Sequence, residues 1–209
     1  MTTLSDKQFR TVLDRLHETA ERDDDLDLAP VPAGATARQL SDALAEVYMP
    51  ISAEGGRLLY SLVRAARPRT VVEFGTSYGI STLYLAAAVR DNGTGQVIST
   101  ELSPVKVAAA RRHLAEAGVA ATVLEGDARE TLAGVDGPIE VLLLDGWKDL
   151  YLPVLHALED RLAPGALVIG DDASFTSVQP YLEYVREPAN GYVSVNFPIE
   201  DGMEISCRS

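Results

Sequence analysis

The chain predicts an α/β fold: a mostly parallel seven-stranded sheet with helices on both faces, closed by a C-terminal antiparallel hairpin. Three observations predict it. From Thr70 onward, short β-branched or aliphatic runs alternate with helical stretches, the pattern of a parallel sheet with right-handed crossovers. Two of the runs, at 141–144 and 167–169, are apolar without interruption, as strands buried on both faces must be. The last two runs are joined only by Pro198-Ile199-Glu200-Asp201-Gly202, which is too short for a crossover and suits a hairpin.

Taken in order, residues 5–20 place Phe9, Val12, Leu13 and Leu16 on one helical face, with Ser5 and Gln8 at capping-box spacing. That stripe needs a partner, either the main domain or a second copy of the chain in a homodimer. Residues 21–35, rich in Asp and Pro, read as a loop whose acid run faces water. A second helix starts at Thr36, with Gln39 three residues on, and a third is capped by Ser52 and runs through Leu58, Leu59, Leu62 and Val63 to Arg67-Pro68. Residues 1–48 thus read as N-terminal helices and linker, and 49–209 as the main domain. Strands are expected at 70–74, 97–100, 121–124, 139–144 and 166–170, with helices starting near Ser77, Pro104, Ala128 and Leu150. Closing strands follow at 192–197 and 203–207.

The 209 residues suffice for one domain with a sizeable core, and 46% apolar content with mean hydropathy near zero describes a soluble globular chain. A net charge of −13 argues against a phosphate backbone as partner. The single Cys207 has no mate for a disulfide and no thiol cluster for zinc. The opening MTTLSDKQFR lacks a signal segment and no apolar run reaches membrane-spanning length, which predicts a cytoplasmic protein with no membrane contact.

Function is written around the first strand. Thr70-Val71-Val72 leads into Glu73-x-Gly75-x-x-x-Gly79 and then a helix expected to be amphipathic, with Leu83, Ala86 and Ala87 on one face. A glycine turn before a helix lets a ligand approach the backbone and meet unpaired N–H groups, though a plain tight connection has the same look. The spacing departs from the G-x-G-x-x-G of dinucleotide folds. Glu101 ends the next strand, before a Ser103 cap and Pro104, where an acid suits the two hydroxyls of a ribose. Together they predict a nucleoside-bearing cofactor.

Further carboxylates fall at the ends of other strands: Asp127, Asp145, and the pair Asp171-Asp172. If Asp145, Asp171 and Asp172 converge, they need a positive partner, and an all-oxygen set suits a hard cation such as Mg2+. Otherwise one acid caps a helix and the rest face solvent. Lys148, one of three lysines against fifteen arginines, follows Asp145 by three residues. Near a cation it suits a general base; otherwise it is a surface lysine set against a helix dipole. His17, His113 and His156 sit on helices away from these ends and read as structural.

The segment Asp145-Gly-Trp-Lys-Asp-Leu-Tyr-Leu-Pro153 resembles the D-x-W-K-D-x-Y-L-P stretch of the catechol O-methyltransferases, within the cation-dependent S-adenosylmethionine-dependent O-methyltransferases that also include the caffeoyl-CoA enzymes. The resemblance runs from about Met49 to the C-terminus. It includes Ile51-Ser-Ala-Glu-Gly-Gly56, the Glu73/Gly75/Gly79 loop, Glu101, Gly126-Asp127-Ala128, Asp171-Asp172 and the Asp201-Gly202 turn. It implies a Rossmann-like class I methyltransferase fold, S-adenosylmethionine and Mg2+ as cofactors, and an aromatic vicinal diol as the small-molecule acceptor.

By position, the resemblance puts Glu73, Gly75 and Ser81 along the methionine part of the cofactor and Met49 beside its sulfonium, and counts Ile51 and Gly79 among the cofactor-binding residues. Glu101 would hold the ribose, and Asp127, Ala128 and Trp147 would surround the adenine or the nearby wall. Asp145, also beside the cofactor, joins Asp171 and Asp172 as metal ligands, and Lys148 is the base. Glu183 anchors the acceptor, which Met49, Trp147 and Lys148 also touch. Three departures from the family stand out. Asp172 replaces the usual Asn, which adds a charge that favours cation binding and weakens acidification of the acceptor hydroxyl. The connection from Asp172 to Glu183 is shorter than in the animal enzymes, and residues before Met49 do not align. The nearest alternative is an enzyme of the same class acting on an acyl-thioester or a natural-product phenol. A nucleotide-binding oxidoreductase or a non-catalytic cofactor sensor is more remote.

Overall fold

The computed structural model describes residues 2–28, 30–31 and 34–209. Seven strands form one sheet: β1 Thr70–Phe74, β2 Gln96–Glu101, β3 Thr122–Glu125, β4 Ile139–Leu144, β5 Leu162–Gly170, β6 Tyr192–Phe197 and β7 Met203–Arg208. Their order is β3-β2-β1-β4-β5-β7-β6, parallel throughout except that β7 runs antiparallel to β5 and β6. The hairpin therefore inserts β7 between β5 and the edge strand β6. The order reverses between β1 and β4, the place where open α/β sheets bind ligands.

Helices α1 Lys7–Ala20, α2 Ala37–Ala43, α3 Ala53–Ala66, α4 Ile80–Asn92, α5 Pro104–Glu116, α6 Ala128–Thr131, α7 Tyr151–Leu158 and α8 Gln179–Arg186 complete the chain. On one face of the sheet, α1, α3, α4 and α5 build a core with Val71, Val97, Val141 and Ile169; on the other, α6, α7 and α8 pack on Val72, Leu142, Leu144 and Val168. The stripe of α1 finds its partner in the main domain, where Phe9 and Leu16 are buried completely. At about 1.5–3 kcal/mol per fully buried large apolar side chain, this docking holds the helix in place.

Several local expectations are corrected. Helix α1 is capped by Asp6, which accepts from the Phe9 N–H, because Ser5 closes a preceding 3-10 turn and Gln8 instead donates to the Glu116 carbonyl. Helix α4 starts at Ile80 and not near Ser77, since Gly79 at φ +91° is its N-cap. Nor is α4 amphipathic: nearly all of it is buried, because α3 covers the side away from the sheet. Their approach is close enough that a Cβ at Gly56 would run into the Tyr84 ring. Strand β5 extends back to Leu162, since the Pro164-Gly165 pair that reads as a turn is absorbed in a shift of register against β4. Strand β3 is displaced by one residue from the expected run, and β2 and β7 are each slightly longer.

The capping box at Thr36 and Gln39 forms as expected, as does the Ser52 cap. In the acidic loop, Asp23 does more than face water: its carboxylate accepts from the backbone N–H groups of Tyr48 and Met49. Ala29, Pro32 and Ala33 of that loop lie outside the described residues. Among the described residues no helix is long and apolar enough to cross a membrane.

Candidate active site

The ends of β1 and β4 interlock. The Asp145 N–H donates to the Phe74 carbonyl at 2.8 Å, and a Cβ at Gly75 would collide with the Asp145 carbonyl. Gly75, at φ +105°, is thus required both by its conformation and by the approach of β4. Asp171 is tied in the same way, its N–H donating to Leu144 at 3.0 Å. Above these ends opens a cavity of about 430 Å³.

One end of the cavity is acidic. Asp145, Asp171 and Asp172 bring one carboxylate oxygen each within 4.8 Å of the others. Lys148 stands among them, its Nζ 2.6 Å from Asp172, 3.3 Å from Asp145 and 2.9 Å from the Tyr151 hydroxyl. Three carboxylates around one ammonium leave an excess of negative charge. Burial, with the carboxylates facing one another, pushes Asp145 up to about 7 and Asp171 up to about 8. Burial also works against the Lys148 ammonium, but Asp145 and Asp172 outweigh it and hold the lysine above its ordinary range. An all-oxygen set that repels itself fits a hard divalent cation.

The other end suits a nucleoside. Glu101 lines the cavity with its carboxylate held by the N–H groups of Ser77 and Ser103, each at 2.8 Å. A carboxylate oriented in this way still has lone pairs for a diol. Leu102, Gly126, Ala128 and Trp147 line the same wall. Asp127 lies beside them, but its carboxylate is taken by Arg129, which holds it below the usual carboxylate range. Among the described residues, the Ser41 hydroxyl on α2 is buried without a partner, and the Lys106 ammonium on α5 forms no hydrogen bond or ion pair.

Of the residues expected at a site, Met49, Ile51, Gly75, Ser81, Glu101, Asp127 and Ala128 line this one cavity. So do Asp145, Trp147, Lys148, Asp171 and Asp172. Three are not brought there. Glu73 is wholly buried behind the wall, its carboxylate accepting from Ser81 at 2.6 Å and from Thr82 and Ser99. Gly79 caps α4 and packs on Ala110. Glu183 lies on the exposed face of α8 outside the cavity, because α8 turns Tyr181, Leu182 and Val185 inward.

Other parts of the lining had no sequence signal: Tyr48 stacked on Tyr78 at 3.8 Å between centroids, Lys106, Phe175, and Glu200 from the β6–β7 turn. The stack is pinned by Ser77 donating to the Tyr48 carbonyl and Tyr78 donating to the Ala45 carbonyl. None of the three histidines lines the cavity; His113 bonds the Tyr78 carbonyl through Nδ1.

Comparison with known proteins agrees with the fold. A methyltransferase-domain family matches residues 72–173. Catechol O-methyltransferase B of Danio rerio is 31% identical over 175 residues, covering 76% of this chain and 65% of that protein. The chain thus spans just under two thirds of that relative's length. A Mycolicibacterium smegmatis protein assigned to the O-methyltransferases is 31% identical over 171 residues, covering 73% of this chain and 80% of that one. Among solved structures, the O-methyltransferase TomG of Streptomyces achromogenes in complex with S-adenosylmethionine superposes with a TM-score of 0.70 at 21% identity, over 94% of this chain and 98% of that one. Sheet order, helices and hairpin are those of a class I methyltransferase. Within that class, the chain belongs to the O-methyltransferase family.

Proposed function

We propose that the protein is an S-adenosylmethionine-dependent, divalent-cation-dependent O-methyltransferase acting on a hydroxyl of a catechol-like aromatic small molecule. The observation that carries this reading is the placement of Lys148 among Asp145, Asp171 and Asp172, in one cavity with Glu101. The names of the relatives support it, as does S-adenosylmethionine in the TomG complex.

On this reading Glu101 takes the ribose hydroxyls, and Gly75 and Ser81 leave room for the methionine part. Asp145, Asp171 and Asp172 would hold Mg2+ or a similar cation. When bound, the cation lowers the pKa of a coordinated hydroxyl and the cofactor offers an electrophilic methyl group. Lys148, held as an ammonium by Asp145 and Asp172 here, would release its proton to solvent more readily with those carboxylates engaged by a cation, and its neutral Nζ would then take the proton of the acceptor hydroxyl. Met49, Trp147 and Phe175 offer the acceptor an apolar surface. Holding the reacting atoms in line can supply on the order of 7–11 kcal/mol.

Calorimetric titration with S-adenosylmethionine, then a simple catechol, with Mg2+ and again with excess chelator, tests the reading. Cofactor binding in both conditions and catechol binding only with metal is the expected result. No cofactor binding overturns the function, and catechol binding under chelator removes the metal role from the three aspartates.

A further inference from the structure

Lys106 lies in the first turn of α5, on the wall that carries Glu101 and Leu102. It is only 4% exposed, and among the described residues its ammonium forms neither an ion pair nor a hydrogen bond. Its contact is the Tyr78 ring, with Nζ 5.7 Å from the centroid. Two physical effects oppose a charge in this place. Burial without a partner is costly for an ammonium, and the N-terminal turn of a helix is the positive end of its dipole. Burial accordingly holds the amine below its ordinary range, with Glu101 and Asp23 pulling weakly the other way. A methionine or leucine would cover the same apolar surface without the cost of burying a charge, so packing alone does not call for a lysine.

Lys106 lines the cavity, near enough to the Glu101 carboxylate, already fixed for a diol, to feel its charge. Glu101 can only accept, so each hydroxyl that donates to it keeps oxygen lone pairs free. Those lone pairs are what an unpaired ammonium on the same wall can use. The Ser41 hydroxyl, which also lines the cavity and is unpartnered among the described residues, is a second sign that the cavity is completed by a polar ligand.

We infer that Lys106 is a cofactor-binding residue that donates to a ribose hydroxyl oxygen, so that Glu101 and Lys106 together hold the diol by acceptance and donation. The assignment rests on the cofactor reading above and extends it to a residue outside the aligned motifs.

The test is binding of S-adenosylhomocysteine and its 2′-deoxy and 3′-deoxy analogues to wild type and to Lys106→Met, with melting of both proteins without ligand. A charge-assisted bond of this kind predicts about ten- to hundredfold weaker S-adenosylhomocysteine binding in the variant. For one of the two deoxy analogues the loss of affinity relative to S-adenosylhomocysteine should be clearly smaller in the variant than in wild type, because in the variant only the bond from that hydroxyl to Glu101 remains to be lost. The ligand-free variant should melt at the same temperature as wild type or higher, because an unpaired buried charge has been removed. Affinity within about twofold of wild type overturns the assignment. So does weaker binding accompanied by a lower melting temperature, which would make Lys106 structural, and so does a full loss for both deoxy analogues in the variant. If wild type itself fails to bind S-adenosylhomocysteine, the cofactor reading falls and takes the assignment with it.

Discussion

At Lys148 one side chain carries two contrary demands. In this structure it is an ammonium compensating Asp145 and Asp172, yet the proposed reaction needs its neutral amine. The two states differ only in what the carboxylates are paired with, so Lys148 belongs to the chemistry and not to cofactor recognition. Lys148→Met should therefore lower turnover by on the order of 10²–10⁴-fold, the usual size of a general base, with cofactor affinity within about twofold of wild type. Steady-state kinetics beside calorimetry with S-adenosylmethionine checks this, and equal losses in both would count against the base. This lysine was legible in the sequence because its spacing from Asp145 is local. Lys106 was not: it was one more residue of a helix expected to start near Pro104, and only its packing over Tyr78 and the absence of a carboxylate partner among the described residues set it apart.

The strand ends are the elements that make the site, and they also make it unstable when empty. Asp145 ends β4 and Asp171 ends β5, and adjacent parallel strands leave their carboxylates no room to separate. Burial and mutual repulsion raise Asp145 to about 7 and Asp171 to about 8, against an ordinary 3.8. The native state thus binds protons that the unfolded chain has already released, so stability is lost as pH rises from near 4 toward 8. The half-buried His17 and the buried His113, whose pKa values burial lowers, act in the opposite direction, but only below about 6.5. Between pH 6.5 and 8.5 the carboxylates decide the sign. The metal-free protein should melt at a lower temperature at the upper pH, and saturating Mg2+ should shrink the difference. A melting temperature that rises with pH under chelator would refute the account. Strands and their terminal acids were readable because parallel strands are short, apolar and end in the site. The segments before Met49 were not, since their role rests on contacts distant in sequence, such as Asp23 accepting from Tyr48 and Met49. Glu183 misled for a related reason: its motif matches, but the short path from Asp172 turns α8 so that this residue faces solvent.

For the whole molecule, the net charge of −13 gives a field that no single contact represents. It disfavours polyanions and attracts cations, and both proposed cofactors are cations when free. S-Adenosylmethionine carries one net positive charge, from its sulfonium and ammonium against one carboxylate, whereas S-adenosylhomocysteine has lost the sulfonium and is neutral overall. The two molecules otherwise share shape and contacts. A long-range attraction to the acidic cavity should therefore speed association of the first and not of the second, and salt should screen it once the Debye length falls from about 30 Å at 0.01 M to about 3 Å at 1 M. Stopped-flow association rates across that range should fall severalfold for S-adenosylmethionine and stay nearly level for S-adenosylhomocysteine. Parallel curves would mean that the charge serves solubility alone. A divergence would mean that the same carboxylates that hold the cation also favour capture of the methyl donor over retention of the spent product, since the product leaves without the charge that drew its precursor in.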